Sequence, residues 1–322
     1  MIVADITAFA IKRIQCEVPG NWRAVLKFTP GGSTIAQTLF DQPFTLASIG
    51  PVVNVALNPK EIHPKVNGGG TPPIPNVDAE TSHINALVTD SGCPNIPIPD
   101  AKVELSSKVI PGSGGHAHIK TELAGTGTFK SGRSSGLTVS GISDLYGKFQ
   151  ATYTAGDLGI KENIIARATV TDSQGMTKTV EGKSELSITV ATKTPITPLP
   201  AMSPFYVLQQ GEEGANNHPQ NNYGRPRLNQ VIQSVASAFK SYRQKETQQT
   251  TVTLLSINDI SLPLGGRFEG HGSHEVGVEL DINGAASGLA PDSRDYRKLI
   301  KLFDGQQCTE IHFIHFRCEK TY

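Results

Sequence analysis

The strongest constraint on the fold is a period of two. Up to about residue 195 the apolar residues fall in short alternating runs, among them Val103-Glu-Leu105, Phe149-Gln-Ala151-Thr-Tyr153 and Leu186-Ser-Ile188-Thr-Val190. In an extended segment that spacing puts apolar groups on one face and polar groups on the other, so half-buried strands fit best. The runs are separated by Asn58-Pro59, Gly68-Gly-Gly-Thr-Pro-Pro73, Pro111-Gly-Ser-Gly-Gly115 and Asp144-Leu-Tyr-Gly147. Glycine there supplies positive φ and proline breaks a ladder, so each cluster marks a turn. Roughly seven strands can be counted between Val52 and Val190, about the number a β-sandwich needs. In residues 1–45, Ala4, Ile6 and Ala8 alternate with Asp5 and Thr7 ahead of the single tryptophan, Trp22. They form either an extra β unit or added strands of the same sandwich.

The alternation stops at Thr192-Lys-Thr-Pro-Ile-Thr-Pro-Leu-Pro200, whose three prolines in nine residues exclude a central strand or a helix interior. Such a segment reads as a stiff linker. Beyond it the pattern is mixed. Pro226 suits a first helical position, and Leu228, Val231, Ile232, Val235, Phe239 and Tyr242 follow at helical spacing, which predicts an amphipathic helix to about Arg243. Residues 251–257 are a strand candidate, a second helix follows Ser293 with Tyr296, Leu299, Ile300 and Phe303 on one face, and 310–316 is a closing strand. The expected division of the 322 residues is a β extension at 1–45, an all-β sandwich at 46–191, a linker at 192–204 and a small α+β domain at 205–322.

Charge excludes some functions. Twenty-nine basic residues balance 29 acidic ones, so no overall field draws the chain to nucleic acid or anionic lipid. No apolar run is long enough to span a membrane. The start, with Asp5 and no apolar run after a basic segment, carries no recognisable secretory signal. Four cysteines are too few for a disulfide-built fold, and Cys16, Cys93, Cys308 and Cys318 lack zinc-finger spacing. Cys308 and Cys318 invite a bridge. On one strand, however, their Cα atoms would lie about 30 Å apart against a limit near 7 Å, so a bridge requires that strand to break.

Nine histidines occur, and His271, His274, His312 and His315 fall in the last 52 residues. The first pair lies among Gly265, Gly266, Gly270, Gly272 and Gly277, where the backbone can turn tightly. Zinc donors must converge to about 2.0–2.2 Å from one ion. His274 and Asp281 would be roughly 23 Å apart on a straight strand and about 10 Å apart on a helix, so a loop must turn between them, and Gly277 lies where one could. His274-Glu275 starts like the helical zinc motif with histidines four apart, but Val278 stands where the second would be.

The stretch Gly270-His271-Gly-Ser273-His274-Glu-Val-Gly277-Val-Glu-Leu-Asp281-Ile282 resembles the Ser-x-His-x-x-Gly-x-x-x-Asp type of signature of zinc peptidases of the LAS group. That group holds D-alanyl-D-alanine carboxypeptidases and dipeptidases and the penicillin-insensitive murein endopeptidases. The Gly-His-x-Ser-His form is closest to the endopeptidases. His312-Phe-Ile-His315-Phe316-Arg317 resembles the carboxypeptidases' Glu-x-x-His-aromatic-Arg ending. The resemblance covers about residues 254–317. It implies His274, Asp281 and His315 as zinc ligands, with His312 standing where the carboxypeptidases place their catalytic glutamate. The endopeptidases have a histidine two before the ligand, where this chain has Phe313. An ideal strand puts residues three apart on opposite faces, so His312 reaches the site only if the strand bulges or ends there. The rival assignment takes His312 as ligand and Glu310 as base.

The implied reaction is metal-assisted hydrolysis of a peptide bond, with His312 carrying the proton to the leaving amine and His271 as a further contact. The implied substrate is cell-wall peptidoglycan. A chain of this kind without a leader is expected to reach the periplasm or cell wall through export machinery, lysis or a phage particle. Separately, Gly141-Ile-Ser-Asp-Leu-Tyr-Gly147 running into 149–153 resembles the turn-then-strand segment of bacterial immunoglobulin-like modules, which implies a targeting or binding module. The alternative is a non-catalytic adhesin or structural protein with a degenerate peptidase-like domain, motivated by histidine replacing glutamate at position 312.

Other candidates have simpler readings. His63, His83 and His218 read as surface or satisfied core residues, and His116-Ala-His118 as an exposed hairpin that could also hold a metal. Arg267 and Arg317 read as solvated surface, with a substrate carboxylate as the alternative. Ser273 orders the loop, because no Gly-x-Ser-x-Gly elbow surrounds it.

Overall fold

The computed structural model describes residues 20–28 and 37–46 as backbone, and residues 50–66, 80–91, 96–114, 125–171, 175–191, 195–209, 221–267 and 274–318 with their side chains. Strands β1 (Gly20–Phe28) and β2 (Gln37–Leu46) pair antiparallel as a sheet of their own. Residues 20–28 and 37–46 thus form a two-stranded unit of their own, while the alternation from Ala4 to Ala8 lies outside the described residues.

The sandwich region has ten strands where the runs indicated seven. One sheet orders β3 (Pro51–Asn58), β5 (Thr81–Asp90), β10 (Lys148–Thr154), β7 (Thr128–Ser131) and β8 (Ser134–Gly136). The other orders β4 (Glu61–Ile62), β12 (Thr177–Ile188), β11 (Ile160–Thr171), β6 (Lys102–Val109) and β9 (Val139–Ile142). The additional strands are short pieces such as β4 and β8, too brief for periodicity to detect. All pairings are antiparallel except β4 with β12. The inward residues of both sheets, including Ile84, Val88, Leu105, Phe129, Tyr153, Ile164 and Leu186, form one buried cluster. In its midst Glu162 is fully buried. Its carboxylate accepts the Tyr153 hydroxyl, the Thr126 N–H at 2.7 Å and the Thr126 hydroxyl at 3.0 Å, which compensates its desolvation. Burial and this carboxylate push the Tyr153 phenol far up.

A second core lies C-terminal. Helix α1 (Pro226–Thr247) starts on its proline and buries Leu228, Val231, Ile232, Val235 and Phe239, the face set by the 3.6-residue period. Helix α2 (Arg294–Asp304) is capped by Ser293, whose hydroxyl accepts the Tyr296 N–H at 3.1 Å, and buries Tyr296, Leu299 and Phe303. Against them pack β14 (Tyr206–Leu208), which runs parallel to β16 (Leu255–Ile257), and a three-stranded sheet ordered β17 (Glu279–Asp281), β19 (His315–Arg317), β18 (Thr309–His312). The region expected as a stiff linker is, in its described part, tied to this core. Strand β13 (Thr197–Pro198) pairs with β15 (Tyr223–Gly224), and Leu199 is buried. A two-residue edge strand tolerates proline because proline still offers its carbonyl.

One expectation is corrected. Residues 310–316 are not a single strand but the hairpin β18–β19, turning at Phe313 and Ile314. The chain reverses, Cys308 and Cys318 come to a Cα separation of 4.1 Å, and they form a disulfide. Nothing in Glu-Ile-His-Phe-Ile-His-Phe signals a turn, and Ile314 takes φ 63°, a region that a β-branched residue avoids. Tertiary contacts hold it there. The Ile314 N–H donates to Glu310 at 3.1 Å, and the Ile314 carbonyl accepts the Ile282 N–H at 3.1 Å. Cys16 and Cys93 lie outside the described residues.

Candidate metal centre

His274 enters from the loop before β17. It adopts φ 70°, left-handed for a residue with a Cβ, and its N–H donates to Glu279 at 3.1 Å. Such a conformation costs on the order of 1–3 kcal/mol and persists only where surrounding contacts fix it. Its Nδ1 donates to the Ile260 carbonyl at 2.9 Å, which leaves Nε2 for the other side, 3.4 Å from Asp281 Oδ2. Gly277, at φ 72°, makes the bend that brings Asp281 back.

His315, on β19, pairs with Asp281 across the sheet. Its Nδ1 lies 3.5 Å from Asp281 Oδ1 and its Nε2 lies 3.3 Å from Glu279 Oε2. The two imidazoles stack with centroids 4.9 Å apart. The Asp281 carboxylate therefore lies between His274 Nε2 and His315 Nδ1, so the three side chains named from the sequence are brought together. His274 and His315 are buried, and the Asp281 side chain is 23 % exposed, which opens the cluster on one side.

Glu279 is the member that sequence reasoning missed. Donor atoms of His274, Glu279 and His315 all lie within 4.8 Å of one another. Its carboxylate is also engaged by the His274 N–H and by Arg317 Nε. The signal available was its place two residues before Asp281, on the same face of β17. Arg317 is only 16 % exposed and paired with Glu279, which corrects its reading as a solvated surface residue. Arg267 is exposed and pairs with Asp157 at 3.3 Å.

The hairpin answers how His312 reaches the cluster. The register shifts between Glu310 and His312, the strand ends, and His312 becomes the cross-strand partner of His315. His312 Nε2 lies 2.8 Å from His315 Nδ1, and its ring is solvent-exposed at the rim. Glu310 turns elsewhere: its carboxylate accepts the Tyr296 hydroxyl and the Ile314 N–H. Burial first, and that carboxylate next, push the Tyr296 phenol up to about 12.

For His274, burial opposes the charged imidazolium, but Asp281, Glu279 and the Ile260 carbonyl outweigh it, and its pKa lies above the usual imidazole value. His63 is buried with Nδ1 2.7 Å from the Pro64 carbonyl, and burial lowers its pKa. His83 is exposed, 3.5 Å from the Thr152 hydroxyl. His116, His118, His218, His271 and Ser273 lie outside the described residues.

Two imidazoles and two carboxylates of this kind fit a zinc ion, whose protein donors are His nitrogen and carboxylate oxygen. Among the described residues no helix is long and apolar enough to cross a membrane.

Residues 210–303 match the model of a family described as penicillin-insensitive murein endopeptidase, which supports a peptidase domain in this part of the chain. The match includes His274, Glu279 and Asp281 and stops before the hairpin. No curated protein matches the chain. Among solved structures, a Yersinia pseudotuberculosis adhesin, InvE, is 12% identical over 85% of this chain and 76% of its own, with a TM-score of 0.32. A PapD-like domain of human CEP192 is 10% identical over 42% of this chain and 86% of its own, with a TM-score of 0.20. Both scores are too low to assign a fold.

Proposed function

We propose that residues 205–322 form a zinc-dependent peptidase that hydrolyses peptide bonds of bacterial cell-wall peptidoglycan, with His274, Asp281 and His315 as metal ligands and His312 as the proton carrier. The observation that carries this reading is the convergence of the Asp281 carboxylate on both imidazoles, in a segment that matches a murein endopeptidase family. Asp281 is a better ligand than Glu279 because the Glu279 oxygens already accept from His274 and Arg317. Glu279 then orients His315 through its Nε2, the carboxylate–histidine arrangement found behind many metal ligands, and His315 offers Nδ1 to the ion in place of its 2.8 Å contact with His312.

Zinc held there supplies Lewis acidity towards a peptide carbonyl and acidifies water. The chain's own residues do the rest. Burial of His274 and His315 excludes bulk water from the inner side, and the exposed His312 imidazole exchanges protons at the rim. The immunoglobulin-like reading of 46–191 and its division from 205–322 belong to the same proposal, with the sandwich as an accessory module. The Cys308–Cys318 bridge supports work in an oxidising compartment such as the periplasm or cell surface.

The test is mass spectrometry of soluble fragments after purified murein is incubated with the intact protein, with His274→Ala and with a chelator. Peptide release by the intact protein alone is expected. Bound zinc with no released peptide would favour the non-catalytic reading, and cleavage of another peptide but not murein would shift the substrate.

A further inference from the structure

The segment 264–267, ahead of His274, is not supported by the C-terminal core alone. The β10–β11 turn of the sandwich reaches it: Leu158 forms an antiparallel bridge with Gly266, and the Arg267 N–H donates to the Asp157 carbonyl at 2.7 Å. The end of the sandwich adds a third contact, Val190 N–H to the Leu264 carbonyl at 3.0 Å. The approach is so close that side chains are excluded. A Cβ on Gly159 would lie 2.3 Å from the Gly265 carbonyl oxygen and 2.6 Å from that of Leu264, and one on Gly266 would lie 2.3 Å from Gly159 N.

The clamped segment is bonded in turn to the residues beside His274. Gly266 N–H donates to the Glu275 carbonyl at 2.8 Å. Arg225, almost fully buried, donates from Nε to the Val276 carbonyl at 3.1 Å and from a terminal nitrogen to the Val190 carbonyl at 2.8 Å, so one guanidinium spans both regions. Val190, Val276 and Val278 share a small buried cluster of their own. Residues 264–266 and 275–278 thus have the sandwich as one wall.

We propose that the sandwich is a positioning element for the metal site: Asp157, Leu158, Gly159 and Val190 fix 264–266, and through Glu275 and Val276 they fix the backbone of His274. The inference rests on the reading of His274 as a metal ligand only for its second readout. A loop left to fluctuate would have to be ordered when the ion binds, and that cost would appear as lost affinity. Linkage makes the effect reciprocal, so an ion at the site tightens the docking by the same factor. The β region thereby acquires a role inside the peptidase part.

Gly159→Ala in the full chain is the test, because alanine suits its backbone and only the steric fit to 264–265 is spoiled. Gly136→Ala is the control, since there a Cβ meets nothing nearer than 3.4 Å. Arg225→Met attacks the same coupling from the other side. In the metal-free protein, amide exchange across 274–280 is expected to speed up about tenfold in Gly159→Ala and Arg225→Met, but not in Gly136→Ala, while the sandwich strands keep their protection. Zinc affinity, read by competition with a chromophoric chelator, falls by about tenfold, the lower end of what supporting-shell changes cost. Saturating zinc restores the protection by linkage, and it is the retained protection of the sandwich strands that separates this from a merely destabilised fold. Unchanged exchange at 274–280 in both variants overturns the clamp, as does unchanged zinc affinity when scattering shows the two regions separated. A wild-type chain that binds no zinc defeats the peptidase reading instead, and the exchange comparison still decides the clamp.

Discussion

At the scale of single residues, His274 carries the most chemistry. It is buried, held at φ 70°, and fixed by its Nδ1 to Ile260. Its raised pKa gives a pH dependence with a definite sign. In the metal-free protein the charged imidazolium contributes stability that is fully present below the unfolded value, about 6.5, and is lost as pH rises through the raised folded value. Zinc needs the neutral ring, so affinity should climb with pH beyond the ordinary imidazole range before it levels. Chelator competition at a series of pH values checks this, and a plateau already reached below about 6.5 would contradict it. His274→Ala should cost more zinc affinity than the roughly ten- to hundredfold expected for Glu279→Gln, where the carboxylate that supports His315, Arg317 and the His274 N–H is altered but no proposed ligand is removed. Equal losses in the two variants would mean that Glu279, not its neighbour, is a true ligand.

At the scale of elements, the β18–β19 hairpin decides where two of the histidines stand. Its disulfide closes a loop of ten residues. Removing the bridge in Cys308→Ser/Cys318→Ser is expected to cost roughly 2–3 kcal/mol from chain entropy alone, read as a lower denaturation midpoint. Zinc affinity should weaken with it, because Ile314 loses a constraint that keeps it left-handed and His315 rides on the same strand. Retained affinity would show that Glu310, Tyr296 and Ile282 hold the turn by themselves. In the sandwich, β10 and β11 share the Tyr153–Glu162 pair. Tyr153→Phe leaves Glu162 buried with one donor fewer, at a cost of about 1–3 kcal/mol in urea unfolding, and no change in metal affinity is expected.

At the scale of the whole molecule, two hydrophobic cores are joined by a small valine cluster and by Arg225. Replacing that arginine by alanine strips donors from two carbonyls at the junction, each worth about 1–3 kcal/mol when left unsatisfied in the interior. Calorimetry of the intact chain should therefore show more closely coupled transitions than Arg225→Ala, in which the sandwich melts separately from the C-terminal core. Transitions equally spaced in both proteins would mean that the junction carries little coupling.

The sequence alone determined whatever depends on periodicity and local chemistry. Alternation fixed the β character of the described residues before 195, Pro226 and Ser293 set the starts of both helices, and the spacing His274, Gly277, Asp281 required a turning loop. It left unread what depends on residues far apart. The hairpin at 313–314 has no turn residue, and its reversal is imposed by a disulfide, Glu310 and Ile282. Arg317 reads as a surface charge until the sheet places it against Glu279, and no local pattern around Arg225 signals that its guanidinium is buried between the Val190 and Val276 carbonyls. Local propensities amount to tenths of a kcal/mol per residue, whereas burying a charge or closing a covalent loop is worth several. Where the two compete, the three-dimensional partners win.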